Sequence, residues 1–475
     1  MTTLIEHPRT RNIIPLSDYD RENDNDERIK LAADIRQLSR NRTSVIYPNQ
    51  QTAAMKIYET FCDVSKVFVI IVALTQSGKT GTILAFIKEC ISSPYIHTPV
   101  DNIYVITALS STEWKIQTKI RLPFNIKVFH RDDLKDNFVE ELKNKRDVII
   151  IMDEVNVASQ IGQTIQKQFK KIGWDSIETL LDRDIKILEL SATPDGCLFS
   201  LADPNWGNHV SMLTSDPGEG YTSIFNLFDM GRVKQYQDLS GHNRLTGEVR
   251  PETIEHIRCL KREIDSYSTP RYHIIRTSKG SNVRDNLYIV FSPHEYNYKF
   301  YDQQSDILDI NTILSVEPTK HTFILIKEKL RCAFTLVKDY LGILYERCPQ
   351  RANDSVIIQG LAGRITGYDT NNDCVVYTNI DTILRYRAIW DNNFDSSTLA
   401  IRWNSLTSYF SRYQNMTVGK NTFNSTCLYM DLSQEVTSEN KFVLSPTCPA
   451  CKHEYGESEE QQCPSCGSSR PMIQA

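Results

Sequence analysis

Val67-Phe-Val-Ile-Ile-Val-Ala-Leu-Thr-Gln-Ser-Gly-Lys-Thr80 passes from an unbroken apolar run into a small polar turn ending in Gly-Lys-Thr. An apolar run without alternation suits a parallel strand buried on both faces. The residues after the turn, 82–91, have the length and apolar content of a helix. Strand, tight turn and helix start together make an anion site. The first amides of a helix have no partner inside it, and its dipole is positive at that end. Lys79 is then placed for the outer phosphates of a nucleotide and the Thr80 hydroxyl for Mg²⁺, with Ala73, Leu74, Thr75, Gln76, Ser77 and Gly78 forming the loop. The simple Gly-x4-Gly-Lys-Thr pattern fails at Ala73. A chance Ser-Gly-Lys-Thr turn has no reason to fall between a strand and a helix.

Outward from this segment, residues 102–107, 147–152 and 185–190 are further apolar runs, with a helical stretch at 159–171. Such alternation predicts a doubly wound parallel sheet. The run at 147–152 ends in Asp153-Glu154, which suits a hydrolase. Asp153 would bind Mg²⁺ through water, and Glu154 would orient the attacking water. The run at 185–190 ends in Ser191-Ala-Thr-Pro194. A second series follows. Residues 272–277, 286–292, 321–327, 355–359 and 374–378 read as strands, and 253–267 and 331–347 as helices. After 355–359 comes Gln359-Gly-Leu-Ala-Gly-Arg-Ile-Thr-Gly-Tyr368. Arg364, presented from a second domain, would stabilise charge on a transferring phosphate as an arginine finger does.

In order along the chain these segments resemble the motifs of superfamily 2 helicases. Ala73–Thr80 is similar to their Ala-x-Thr-Gly-x-Gly-Lys-Thr loop, with Gln76 where they carry glycine. Asp153-Glu154-Val155-Asn156 resembles their Asp-Glu box, with asparagine in fourth place. Ser191, Ala192 and Thr193 resemble the motif that couples hydrolysis to strand movement. Gln359 to Arg364 resembles the last motif, whose second arginine is Gly367 here. By the same resemblance Gln51, in Tyr47-Pro-Asn-Gln-Gln-Thr-Ala-Ala-Met55, would read adenine. Thr107, Ser110, Lys327 and Arg331 would touch the nucleic-acid backbone. The resemblance implies two tandem RecA-like domains, ATP and Mg²⁺ as ligands, DNA or RNA as partner, and helicase or translocase activity. Gly218-Glu-Gly-Tyr221 and the Gly-Arg-x-x-Gly-Tyr ending point to the helicases of large DNA viruses and phages.

Near the end, Cys448-Pro-Ala-Cys451 and Cys463-Pro-Ser-Cys466 form two Cys-x2-Cys pairs separated by eleven residues. Two such knuckles suit a tetrahedral Zn²⁺ ribbon, whose folding the metal would drive. Unligated thiols and an iron–sulfur cluster are the other readings. Glu454, Glu457, Glu459 and Glu460 against Lys452 make the ribbon acidic, so a protein partner suits it better than phosphate.

The domains expected are therefore a polar arm at 1–44 with an amphipathic helix at 27–38, RecA-like domains at 45–214 and 215–405, a connection at 406–445 and the ribbon at 446–475. With 475 residues, 40% hydrophobic and 24% charged, the chain has the composition of a globular protein. A net charge of −5 excludes nucleic-acid binding through bulk charge, so a local track is required. Lys261, Arg262, Arg271, Arg276, Lys279 and Arg284 offer one. No apolar run reaches the roughly 18 residues of a membrane span, and an intracellular site, cytoplasm or nucleus, is expected. Two other functions fit the same residues: a non-unwinding remodelling or transcription-termination ATPase, and a nucleotide-binding scaffold that recruits partners through the ribbon.

Overall fold

Six strands of the N-terminal half form one parallel sheet: β1 (Phe68–Ala73), β2 (Ile103–Thr107), β3 (Lys127–His130), β4 (Val148–Asp153), β5 (Ile185–Ser191) and β6 (Val210–Ser215). Their order is β3-β2-β4-β5-β1-β6. In this computed structural model the described residues are 18–41, 45–92, 96, 98–107, 118–123, 125–130, 133–134, 136–153, 164–193, 208–243, 245–278, 282–302, 305, 307, 309–327, 329–330, 334–349, 352–369, 371, 373–394, 442–444 and 472–474. β1, β4 and β5 are buried at every residue, which is why they read as continuous apolar runs. Register sets Val72 beside Ser191, Leu190 beside Asp153, and Asp153 beside Thr107. The carboxyl ends of β1, β2, β4 and β5 therefore share one edge, where doubly wound sheets bind ligands.

Three helices build this lobe around β1. α1 (Asp18–Arg40) is longer than the amphipathic segment expected, and buries Leu31 and Ile35 in the lobe's core. α2 (Pro48–Cys62) starts with proline in its first turn and a capping box in which the Gln50 side chain accepts from the Tyr47 amide. α3 (Lys79–Ser92) follows the loop after β1. The Arg28 guanidinium of α1 donates to the carbonyls of Ile91 and Thr98 at 3.0 and 2.8 Å, so a cation closes the carboxyl end of α3.

The second sheet is also parallel and six-stranded, with β7 (Val233–Gln235), β8 (Tyr272–Arg276), β9 (Asn297–Tyr301), β10 (Thr322–Ile326), β11 (Leu341–Tyr345) and β12 (Val375–Thr378) in the order β7-β12-β11-β8-β10-β9. Ile257, Leu260, Ile275, Phe291, Phe323 and Ile343 lie in its core. The two-sheet α/β architecture expected from the sequence is the one observed.

Three elements differ from expectation. Residues expected as a strand at 286–292 belong to a helix, Val283–Val290, with Val283 and Leu287 buried one turn apart. Residues expected as a strand at 355–359 are the helix Asp354–Gln359, started by the Asn353 side chain accepting from the Val356 amide. A short apolar run is ambiguous between strand and buried helix, and here the cap decides. The helix expected over 331–347 is instead β11, reached through a non-helical approach at 334–340. Gly342 permits that strand, since a Cβ there would lie 2.8 Å from the His273 ring on β8.

Residues 430–475 form a separate unit, in which β13 (Phe442–Leu444) pairs antiparallel with β14 (Met472–Gln474). Cys448, Cys451, Cys463 and Cys466 lie outside the described residues.

Candidate functional site

The loop expected to bind phosphate leaves the end of β1 and enters α3 at Lys79. Two of its residues have positive φ, Gln76 at 59° and Gly78 at 100°. The second is free of strain only for glycine. A Cβ on Gly78 would also lie 2.2 Å from Nε2 of Gln50, and one on Gly81 would lie 2.1 Å from its Oε1. The Gln50 carboxamide thus rests directly on the loop and donates to the Gly78 carbonyl at 3.1 Å. Gln51, to which the resemblance assigns adenine, donates to Glu89 at 2.6 Å. Successive helical side chains point about 100° apart, so only one of the two glutamines can face the loop.

The second lobe covers the loop directly. Gln76, non-glycine in a left-handed conformation, donates from Nε2 to the carbonyls of Gly363 and Arg364 at 3.1 and 3.2 Å. The hydroxyls of Thr75 and Thr366 are 3.0 Å apart. Tyr221 donates to the Thr75 carbonyl at 2.5 Å, and burial pushes its phenol up. Beside the loop, Ser191, Ala192 and Thr193 are buried in a tight turn, with the Thr193 amide donating to Ser191 Oγ at 3.1 Å. Gln359 donates to Thr193 Oγ1 at 3.0 Å, and Tyr386 to the Ala192 carbonyl at 2.5 Å. The resembling motifs of the two lobes are therefore bonded to each other.

Between the lobes lies a cavity of about 290 Å³ lined by Lys79, Thr80 and Asp153 from the first lobe and by Gln359 and Arg364 from the second. Arg364 is 2% exposed, and its guanidinium donates to the carbonyls of Phe334 and Gln359 at 2.6 and 2.7 Å. Asp153 is 5% exposed, at the end of β4. A hydroxyl and a carboxylate on one wall are the hard oxygen donors that Mg²⁺ prefers, so Thr80 and Asp153 fit that ion. Gln76, Thr75 and Gly78 also line the cavity, whereas Ala73, Leu74 and Ser77 support the loop from outside it.

Sequence reasoning missed Gln50, Lys338 and Tyr368, which line the same space. Lys338 is 6% exposed and donates to the Thr366 carbonyl. Burial lowers its amine to about 8. Glu154, Ser110 and Arg331 lie outside the described residues. Thr107 ends β2 on the common edge. Lys327 follows β10, half-buried and away from the cavity lining. Of the basic run, Lys279 lies outside the described residues, and the five described cations are each paired with an acid. Lys261 pairs with Asp265, Arg262 with Glu255, Arg271 with Asp373, Arg276 with Glu346 and Arg284 with Asp285. Cations neutralised by neighbouring acids are poor phosphate contacts.

No protein-family model matches the chain. An uncharacterized protein of Acanthamoeba polyphaga mimivirus is 25% identical over 372 residues, covering 72% of this chain and 87% of that one. Among solved structures, the DEAD-box helicase Mss116 bound to ssRNA and UDP-BeF is 14% identical, with a TM-score of 0.44 over 73% of each chain. The S. cerevisiae protein Dbp5 bound to RNA and ADP BeF3 is 11% identical, with a TM-score of 0.39 over 74% of this chain and 92% of that one. The Sulfolobus solfataricus SWI2/SNF2 ATPase core in complex with dsDNA is 12% identical, with a TM-score of 0.28 over 74% and 93%. Among the described residues no helix is long and apolar enough to cross a membrane.

Proposed function

We propose that this chain is an ATP-driven nucleic-acid motor of the superfamily 2 type. The observation that carries the reading is the shared cavity, with Lys79, Thr80 and Asp153 on one wall and Gln359 and Arg364 on the other. A triphosphate bound there meets the loop amides and Lys79 at its phosphates. When bound, Mg²⁺ on Thr80 and Asp153 neutralises charge at the outer phosphates. Glu154, next to Asp153, orients the attacking water, and Arg364 stabilises the charge that builds on the departing phosphoryl group. The Gln359–Thr193 bond then carries the change in the cavity from one lobe to the other.

DNA or RNA is the partner whose grip alternates with this cycle. Cys448, Cys451, Cys463 and Cys466 hold one Zn²⁺ in an acidic ribbon that docks a protein partner. The mimivirus relative favours a viral origin.

ATP turnover measured with and without single-stranded and duplex DNA and RNA tests the reading. Nucleic acid should stimulate turnover, and Lys79→Ala or Glu154→Gln should abolish it in protein that melts normally. Full turnover in either variant would refute the site. Strand displacement measured alongside separates an unwinding motor from a remodelling ATPase. Gly367, where the resembling family has arginine, favours the alternative of a scaffold; it predicts ATP binding without turnover on any nucleic acid.

A further inference from the structure

Position 367 cannot simply regain a long side chain. Gly367 has φ of 118°, and a Cβ there would lie 3.2 Å from Lys338 Nζ and 3.3 Å from Gln76 Oε1. The space beside this backbone is already taken by an ammonium that arrives from another part of the lobe, just ahead of β11. Among the described residues that ammonium donates to two neutral oxygens, the Thr366 carbonyl and, at 3.4 Å, the Gln76 carboxamide. It lines the cavity that Lys79 and Arg364 also line. Neutral acceptors offset only part of the desolvation of a buried cation.

Resting on the nucleotide reading of this cavity, we propose that Lys338 contacts the terminal phosphate of bound triphosphate and so supplies the second cation that position 367 lacks. Lys338 is a sensor of nucleotide state, present for a triphosphate and without a phosphate partner for a diphosphate. It gives up the Gln76 contact when it takes a phosphate oxygen. That release frees Gln76 while its bonds to Gly363 and Arg364 keep the loop against the second lobe.

The charge around Lys338 sets a pH dependence. Burial, the largest influence, and Arg364 lower its amine to about 8, while Asp369 and Cys374 act the other way. From the first lobe the neutral Gln76, the cations Lys79 and Arg121 and the carboxylate of Asp153 line the same space. A phosphate favours the protonated amine, so triphosphate affinity is full below about 8 and falls as the pH rises through it.

The test is equilibrium binding of ADP and of a non-hydrolysable ATP analogue to the full chain, at about pH 7 and about pH 9. Wild type, Lys338→Met, Lys338→Arg and Lys79→Ala are compared. Lys338→Met should lose about tenfold or more in affinity for the analogue and far less for ADP, as loss of one charged hydrogen bond predicts. Lys338→Arg should keep analogue binding at the lower pH and lose the alkaline decline, because its guanidinium does not titrate there. Equal losses for both nucleotides, or no loss, in Lys338→Met overturn the proposal. If that variant does not fold, an unchanged alkaline decline in Lys338→Arg overturns it. Lys79→Ala separates the two readings: wild-type affinity in that variant sinks the nucleotide site itself.

Discussion

The Gln359 carboxamide donates to the Thr193 hydroxyl at 3.0 Å, joining two lobes across 166 residues of sequence. Both side chains are buried, Gln359 4% and Thr193 0% exposed. Deleting a hydrogen bond between two such desolvated groups costs about 1–3 kcal/mol. Thr193→Val and Gln359→Leu should each lower unfolding free energy by about that much, and the double variant by less than their sum. Strict additivity in denaturant melts would show that the contact does not couple the lobes.

Gly363 packs closely against Thr75 of the first lobe. A Cβ there would stand 2.6 Å from the Ile358 carbonyl and 2.9 Å from Thr75 Cγ2. The carbonyl belongs to the backbone and cannot swing away, so Gly363→Ala should cost about 1–3 kcal/mol of stability. It should also push the loop that carries Thr75 from the second lobe. Turnover at saturating ATP is expected to fall about tenfold, and a wild-type rate would contradict the packing.

Gln76 trades backbone strain for contact. Gln76→Gly removes the penalty of a left-handed residue, roughly 1 kcal/mol, but deletes the bonds to Gly363 and Arg364. Stopped-flow release of a fluorescent nucleotide should be several-fold faster in this variant, with little change in melting temperature. Slower release would mean that the strain, not the contact, governs the loop.

The second lobe should be sensitive to acid. His273 is fully buried on β8, and burial, followed by His321 and Arg271, holds it well below its ordinary 6.5. Its Nδ1 accepts from the Ile343 amide at 3.2 Å, so Nε2 carries the proton shared with His321 Nδ1 at 3.0 Å. Protonating Nδ1 breaks the first bond, whereas the unfolded chain takes up the proton freely. Stability is therefore full above about 6.5 and falls below it, by up to about 1.4 kcal/mol per pH unit for this group. His273→Gln keeps a donor and an acceptor without titrating, and melts at stepped pH should show a shallower decline. An identical slope in both proteins would assign the effect elsewhere.

What could be read from sequence follows position in the sheets. β1, β2, β4, β5, β8, β10 and β12 all lie inside them, and each showed as an apolar run. In the two six-stranded sheets, β3, β6, β7 and β9 went unseen, and these are their four edges. An edge strand such as Asn297–Tyr301, mostly exposed, has no reason to be continuously apolar. The interior β11 was misread because Phe334–Tyr345 contains enough helix formers to hide a strand whose partner pairing is entirely non-local. At the site, Lys79, Thr80, Asp153 and Arg364 stood in recognisable spacings, and they now share a cavity. Gln50 was hidden by the phase of α2, and Lys338 by belonging to no motif. Tertiary proximity alone reveals both.

The Arg28 clasp on Ile91 and Thr98 has a practical corollary for anyone shortening this protein. Excision upstream of the Tyr47 cap would strip three carbonyl acceptors, counting Cys90, of their shared cation and uncover the aliphatic groove that Leu31 and Ile35 fill. The smallest fragment worth expressing thus begins well ahead of the first recognisable signature, because the tail of α3 is sealed by residues that bear no signature at all.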